Sequence, residues 1–226
     1  MEVPLVLKVS GRIINPDNPE LVSMYAEVLR KARKAGLRIA VVVGGGPHAR
    51  RYIDCATRTG VGKAGADIIG IEVARLNALL LALTIGGDAY LPIPRSIDEL
   101  LRAWASGKVV VMGGLQPGQS TAGTAAVVAE ILGAKRLLYA TEVDGIYDKD
   151  PAKHPDARRL ERVPLSELRR YIEQEFLPGH YELLDPIALG ILKRSGIDVV
   201  VFNGTSRQKL ERALRGEDVG TIVIPE

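Results

Sequence analysis

The chain has 226 residues, 46% hydrophobic and 25% charged, which suits one large globular domain with a substantial core and argues against disorder. Its 30 lysines and arginines are interleaved with 27 acidic residues, and only 4% of residues are aromatic, so basic blocks and rows of stacking platforms for nucleic acid are both missing. The remaining formal charge of +3 is the mild excess that a small anionic ligand would need.

In chain order, β-rich runs stand at 4–10, 38–44, 88–93, 108–114, 136–141, 198–204 and 220–226. Helical patterns fall at 20–35, 47–58, 67–83, 97–106, 121–132, 166–175, 186–195 and 206–215. Several of the strands are apolar on both faces, as parallel strands are when helices cover them on two sides. The expected class is α/β, a three-layer α/β/α sandwich, in a single domain over 1–226. The proline- and charge-rich stretch 148–164, DKDPAKHPDARRLERVP, is expected to be an excursion or hairpin, with a plain exposed loop as the alternative.

The opening residues lack the charged and long apolar regions of a signal peptide. The most apolar run, 68–85, carries Glu72, Arg75 and Asn77 near its middle, each costly in hydrocarbon, so a buried helix of a cytoplasmic protein is expected. With Glu72 and Arg75 spaced to pair and nearly every face apolar, this helix suits burial from both sides, as at a dimer interface. Cys55 is the lone cysteine, which excludes an internal disulfide and suits a reducing compartment. Cys55 and Trp104 are read as packing residues.

The strand ends carry the chemistry. Lys8 lies inside the first strand, which ends in Ser10 and Gly11. The second runs into Gly44, Gly45 and Gly46, then Pro47, a residue suited to a helix start. The run 112–121, MGGLQPGQST, is again strand, glycine-rich loop and helix, and 140–151, ATEVDGIYDKDP, ends a strand in Thr141 and a turn at Asp144-Gly145. Glycines let the main chain approach a ligand closely, and helix starts attract anions. Several such turns beside a strand-borne lysine suggest a site for several phosphates.

Two familiar phosphate motifs do not apply. GVGKAG at 60–65 has the spacing of a dinucleotide-binding turn, but helix precedes it where a strand is required. Gly62-Lys63 lacks the rest of a Walker A loop, since positions 57 and 64 are Thr57 and Ala64. His48, His154 and His180 are scattered without metal-ligand spacing.

With LKVSG, VVVGGG, MGG, TEVDGIYDKDP and LLDPIALGILKRSGI in this order, the chain resembles the amino-acid-kinase superfamily from Leu7 to about Val201. GGGPHARRYI, GADIIGI, MGGLQPGQST and YELLDP are most similar to the archaeal type of uridylate (UMP) kinase. The resemblance implies a mainly parallel sheet, ATP and UMP side by side over the strand ends, Mg²⁺ carried mainly on nucleotide phosphates, and a hexamer built as a trimer of dimers. It places Lys8, Ser10, Gly11 and Arg12 near the ATP phosphates, with Gly46 and Arg50 also on the ATP side and Thr141, Tyr147 and Asp150 beside adenosine. It places Gly45, Asp67, Leu115, Gln116, Pro117, Gly118, Gln119, Ser120 and Thr121 around UMP. Lys8 would be catalytic, and Asp185 would be a carboxylate near it; Asp185-Pro186 also has the form of a helix N-cap. The chain departs from many relatives at Ala122, where an acidic residue is usual, and at Glu142, where Asn or Lys is usual.

The implied reaction is transfer of the ATP γ-phosphoryl group to UMP. Isopentenyl phosphate kinases of the same superfamily are an alternative, but their triple-glycine loop leads into a histidine where this chain has Arg50. A non-enzymatic oxyanion-storage protein is another, and retention of Lys8 argues against it.

Overall fold

Five consecutive apolar residues, Ile39–Val43, are all buried, which a strand achieves only when both its faces are covered. This strand lies inside the sheet of a computed structural model that describes residues 3–149, 151, 153–168 and 184–226. The strands are β1 (Leu5–Val9), β2 (Ile39–Val43), β3 (Val110–Met112), β4 (Arg136–Thr141), β5 (Arg162–Pro164), β6 (Asp198–Asn203) and β7 (Thr221–Ile224). They form one sheet in the order β3-β2-β1-β4-β6-β7-β5. All neighbours are parallel except β6 and β7, which are antiparallel.

The helices are α1 (Pro19–Lys34), α2 (Gly46–Arg58), α3 (Lys63–Ile85), α4 (Ile97–Ala105), α5 (Thr121–Leu132), α6 (Pro186–Ser195) and α7 (Arg207–Leu214). Alternation within the strands divides the core. Leu7, Val9, Val41 and Val43 pack against α1, α3 and α7, while Val6, Ala40, Val42 and Leu137 pack against α4, α5 and α6. The result is the three-layer α/β/α sandwich expected from the doubly apolar strands.

Several boundaries differ from the sequence reading. Residues 88–93 form no strand: only Ala89 bridges to Val109, because Pro92 and Pro94 have no N–H for a ladder. Residues 162–164, inside the stretch read as an excursion, instead form β5, a short edge strand parallel to β7. The arms before β5 do form a hairpin, with Asp148 N donating to Arg158 O at 3.0 Å and Leu160 N to Ile146 O at 2.8 Å. Of the helix expected at 166–175, the described part begins with a 3-10 turn over Leu165–Glu167, and residues 169–175 lie outside the described residues.

Helix α3 starts four residues earlier than expected, with Gly62 as its N-cap, so GVGKAG joins two helices and has no dinucleotide-binding context. This helix has the length and composition of a membrane-crossing segment, yet its inner face packs on α1, α2, β2 and β3. Its outer face leaves Leu76 64% and Leu83 59% exposed.

Candidate active site

Strands β3, β2, β1 and β4 are adjacent and parallel, so their C-terminal loops stand side by side at one edge of the sheet, where open α/β sheets bind ligands. The loops after β1 and β2 touch main chain to main chain. A Cβ on Gly11 would lie 2.3 Å from Gly46 N, and one on Gly46, which has φ of +65°, would lie 2.2 Å from Gly11 O. Both positions therefore require glycine. Three of the four expected strand-end turns are thereby brought together, with Gly44 facing the Thr121 hydroxyl at the start of α5: a Cβ there would lie 3.4 Å from Oγ1.

Side-chain amides, those of Asn15 and Asn77 buried and that of Asn18 half-buried, clamp these turns. Asn15 Nδ2 donates to Gly11 O and to Arg12 O, both at 2.9 Å, and Asn18 Nδ2 donates to Arg12 O at 2.7 Å. From α3, Asn77, 3% exposed, donates through Nδ2 to Gly44 O at 3.0 Å and Gly45 O at 3.3 Å. Peptide planarity turns the N–H groups of Gly45 and Gly46 the opposite way, out of α3. The sequence reading missed these three asparagines as site residues. Asn77, whose partner lies 33 positions away, carries no local signal, whereas Asn15 and Asn18 bond carbonyls only three to six positions back, and their place just after the Ser10–Gly11 turn could have marked them.

The loop after β3 is held from the same helix. Arg75 Nε donates to Gly114 O and its Nη2 to Leu115 O, each at 3.2 Å, while Nη1 pairs with Glu72 at 2.6 Å as the spacing predicted. Asp67 Oδ2 accepts from Gly118 N at 2.9 Å, joining two residues expected around UMP. Ser120 caps α5, its Oγ accepting from Ala122 N at 3.0 Å and Gly123 N at 3.1 Å. Gln116, Pro117 and Gln119 lie on the same loop.

Asp185 is the N-cap of α6, with Oδ1 accepting from Ala188 N at 2.8 Å. Its Oδ2 accepts from Ser120 N at 3.1 Å, so the same carboxylate also fastens the loop after β3.

Lys8 is 6% exposed and is the register partner of Tyr139 on β4. Its Nζ donates to the Tyr139 hydroxyl at 2.8 Å and lies 4.0 Å from the ring centroid. Burial lowers the Lys8 ammonium from the ordinary lysine range to about 7. Burial also pushes Tyr139 up, with a further upward contribution from the Asp185 carboxylate.

Beside this centre, Ser10 Oγ accepts from Arg12 N at 3.2 Å, and Arg12 pairs with Glu142 at 3.4 Å. The departure at Glu142 thus gives Arg12 an ion-pair partner 130 positions away. Ala122 is buried against the sheet. Arg50 lies in the first turns of α2, behind the triple glycine, while Arg51 is exposed. Thr141 O accepts from Gly204 N at 2.8 Å, and Tyr147 bridges to Arg159 on the hairpin. Asp150 and His180 lie outside the described residues. Among the described residues no group of three or more His, Cys, Asp or Glu is arranged to hold a metal ion.

A model of the amino acid kinase family matches residues 4–203. The chain belongs to the amino acid kinase family. Within it, the chain is 50% identical over 220 residues to a uridylate kinase of Hyperthermus butylicus, covering 97% of each, and 46% identical over 225 residues to one of Sulfolobus acidocaldarius, covering 98% and 99%. The crystal structure of a uridylate kinase from Archaeoglobus fulgidus matches with a TM-score of 0.85 at 33% identity, over 99% of this chain and all of that one. A UMP kinase structure from Bacillus anthracis, at 20% identity and a TM-score of 0.81, supports the amino-acid-kinase fold.

Proposed function

We propose that this protein is a UMP kinase, transferring the ATP γ-phosphoryl group to UMP to give UDP and ADP. The observation that carries the reading is the contact of the Gly11 turn with the Gly44–Gly46 turn, beside Lys8 and flanked by the loop that Asp67 holds. One phosphate-binding surface with two flanks suits two nucleotides meeting phosphate to phosphate. ATP is assigned to Lys8, Ser10, Gly11, Arg12, Gly46 and Arg50, with adenosine near Thr141 and Tyr147. UMP is assigned to Gly45, Asp67 and the 115–121 loop.

The acceptor needs no general base, because a nucleoside monophosphate, with its second pKa near 6, is largely dianionic at neutral pH. Catalysis then consists of positioning and charge stabilisation. The N–H groups of Gly45 and Gly46 hold phosphate oxygens, Arg50 offers a bidentate partner, and Lys8 meets the charge that spreads over the transferring group. Without an acidic cluster among the described residues, the donor set suits Mg²⁺ carried on the ATP phosphates beside the Ser10–Gly11 turn. When bound, the ion supplies neutralisation of phosphate charge.

The apolar outer face of α3 supports burial against a second copy, and a hexamer of three such dimers is the proposed assembly. A cytoplasmic place in pyrimidine nucleotide biosynthesis follows from the proposed reaction. The reading is tested by turnover of UMP, CMP, AMP and isopentenyl phosphate with Mg-ATP. UMP is expected to be phosphorylated far better than AMP or isopentenyl phosphate, and equal or greater turnover of either would overturn it.

A further inference from the structure

Lys8 shares a strand face with Val6, inside the layer formed with α5 and α6, where an ammonium has little access to water. What it meets there is Tyr139, through the 2.8 Å hydrogen bond to the hydroxyl and the 4.0 Å approach to the ring. Hydroxyl and ring both favour a cation without cancelling its charge. A carboxylate in that place would form a permanent ion pair and compete with any phosphate.

Among the described residues, the elements packed against Lys8 bring few other charges near it. On the opposite side Lys8 is in register with Val42 of β2, and α5, which packs over β1, has no ionisable residue before Glu130. Glu130 is itself paired with Arg194. Beyond Tyr139, the Asp185 carboxylate at the start of α6 acts on the tyrosine.

We propose that Tyr139 is a positioning residue for phosphoryl transfer, its hydroxyl and ring holding the Lys8 ammonium charged and aimed until a phosphate replaces the hydroxyl as its partner. The inference rests on the assignment of Lys8 to the transferring phosphoryl group. The lowered proton affinity of Lys8 gives it a direct readout. The hydroxyl bonds the charged ammonium more strongly than it bonds the neutral amine, so removing it lowers the affinity of Lys8 for its proton further.

The test is Tyr139→Phe, which keeps the ring and removes one oxygen. Steady-state kinetics with Mg-ATP and UMP are followed across about pH 5.5 to 9.5, a range that spans the titration of Lys8. Relative to wild type, kcat is expected to fall about 10-fold while KM for UMP stays within about twofold. The alkaline limb of kcat/KM, which reports the free enzyme, is expected to move to lower pH by roughly half a unit or more. A residue that only fills space would leave that limb in place. An unmoved limb therefore overturns the proposal whether or not kcat falls, and so does a wild-type kcat. A wild-type protein that fails to phosphorylate UMP would instead defeat the proposed function, so the two failures are distinct.

Discussion

Asp67, near the start of α3, accepts a hydrogen bond at 2.9 Å from the main-chain N–H of Gly118, 51 positions along the chain. Gly118 has φ of +74°, a conformation that glycine adopts freely, so the carboxylate fixes a turn that would otherwise have few restraints. If this turn closes over UMP, Asp67→Ala should raise KM for UMP about 10-fold or more and leave KM for ATP within about threefold. Equal increases for both substrates, measured by initial rates, would contradict the assignment of this loop to the acceptor.

The clamp from Asn77 onto Gly44 and Gly45 makes the opposite prediction, because the glycine turn serves both nucleotides. Asn77→Leu is similar in size but has no donor, and it leaves buried carbonyls without their partner. A loss of about 1–3 kcal/mol is expected, seen as a melting temperature lower by roughly 3–10 °C. In the protein that remains folded, KM for ATP and KM for UMP should both rise.

Lys8 should show a conflict between activity and stability. Its buried charge is unfavourable in the folded chain, and Lys8→Met keeps much of the apolar stem without the charge. The shift from 10.5 to about 7 corresponds to about 4–5 kcal/mol at neutral pH, offset in part by a stranded Tyr139 hydroxyl. The variant is expected to melt several degrees higher than wild type, by calorimetry, while kcat falls roughly 100-fold or more with little change in KM for UMP. Near-wild-type kcat would remove Lys8 from the mechanism.

The same group sets a pH dependence of stability. Between about 7 in the folded chain and 10.5 in the unfolded chain, the unfolded state binds the extra proton, so stability from Lys8 rises with pH and is lost as pH falls towards 7. Urea unfolding at pH 7 and pH 9 should give wild type a gain of about 2 kcal/mol that Lys8→Met lacks. The comparison cancels groups common to both proteins. A parallel response of the two would mean that Lys8 is not desolvated in solution.

The outer face of α3 predicts assembly. Leu76 and Leu83 are joined there by Ile68, which is 52% exposed, in an apolar row that water disfavours. Light scattering should give at least a dimer, and Leu76→Glu with Leu83→Glu should shift the population towards the 24.4 kDa monomer. A wild-type protein that is monomeric at working concentration would rule out this face as a self-contact.

What the amino-acid sequence determined by itself was whatever depends on near neighbours. Apolar runs on both faces specified β1, β2, β4 and β6, helical spacing specified most of the helices, and glycines at strand ends marked the turns, because steric freedom and periodicity act over a few residues. The Glu72–Arg75 pair and the Asp185 cap were legible for the same reason. Edge strand β5 was not, since three residues containing Arg162 and Pro164 acquire strand geometry only by pairing with β7. Nor were the Asn77 clamp, the Arg12–Glu142 pair or the Asp67–Gly118 bond, whose partners meet through helix packing and strand order. Tyr139 is the clearest case: in sequence it is an aromatic residue in an apolar strand. Only the register of β4 against β1 sets its hydroxyl against a buried ammonium 131 positions away, and only the low-polarity layer around that pair makes the contact matter.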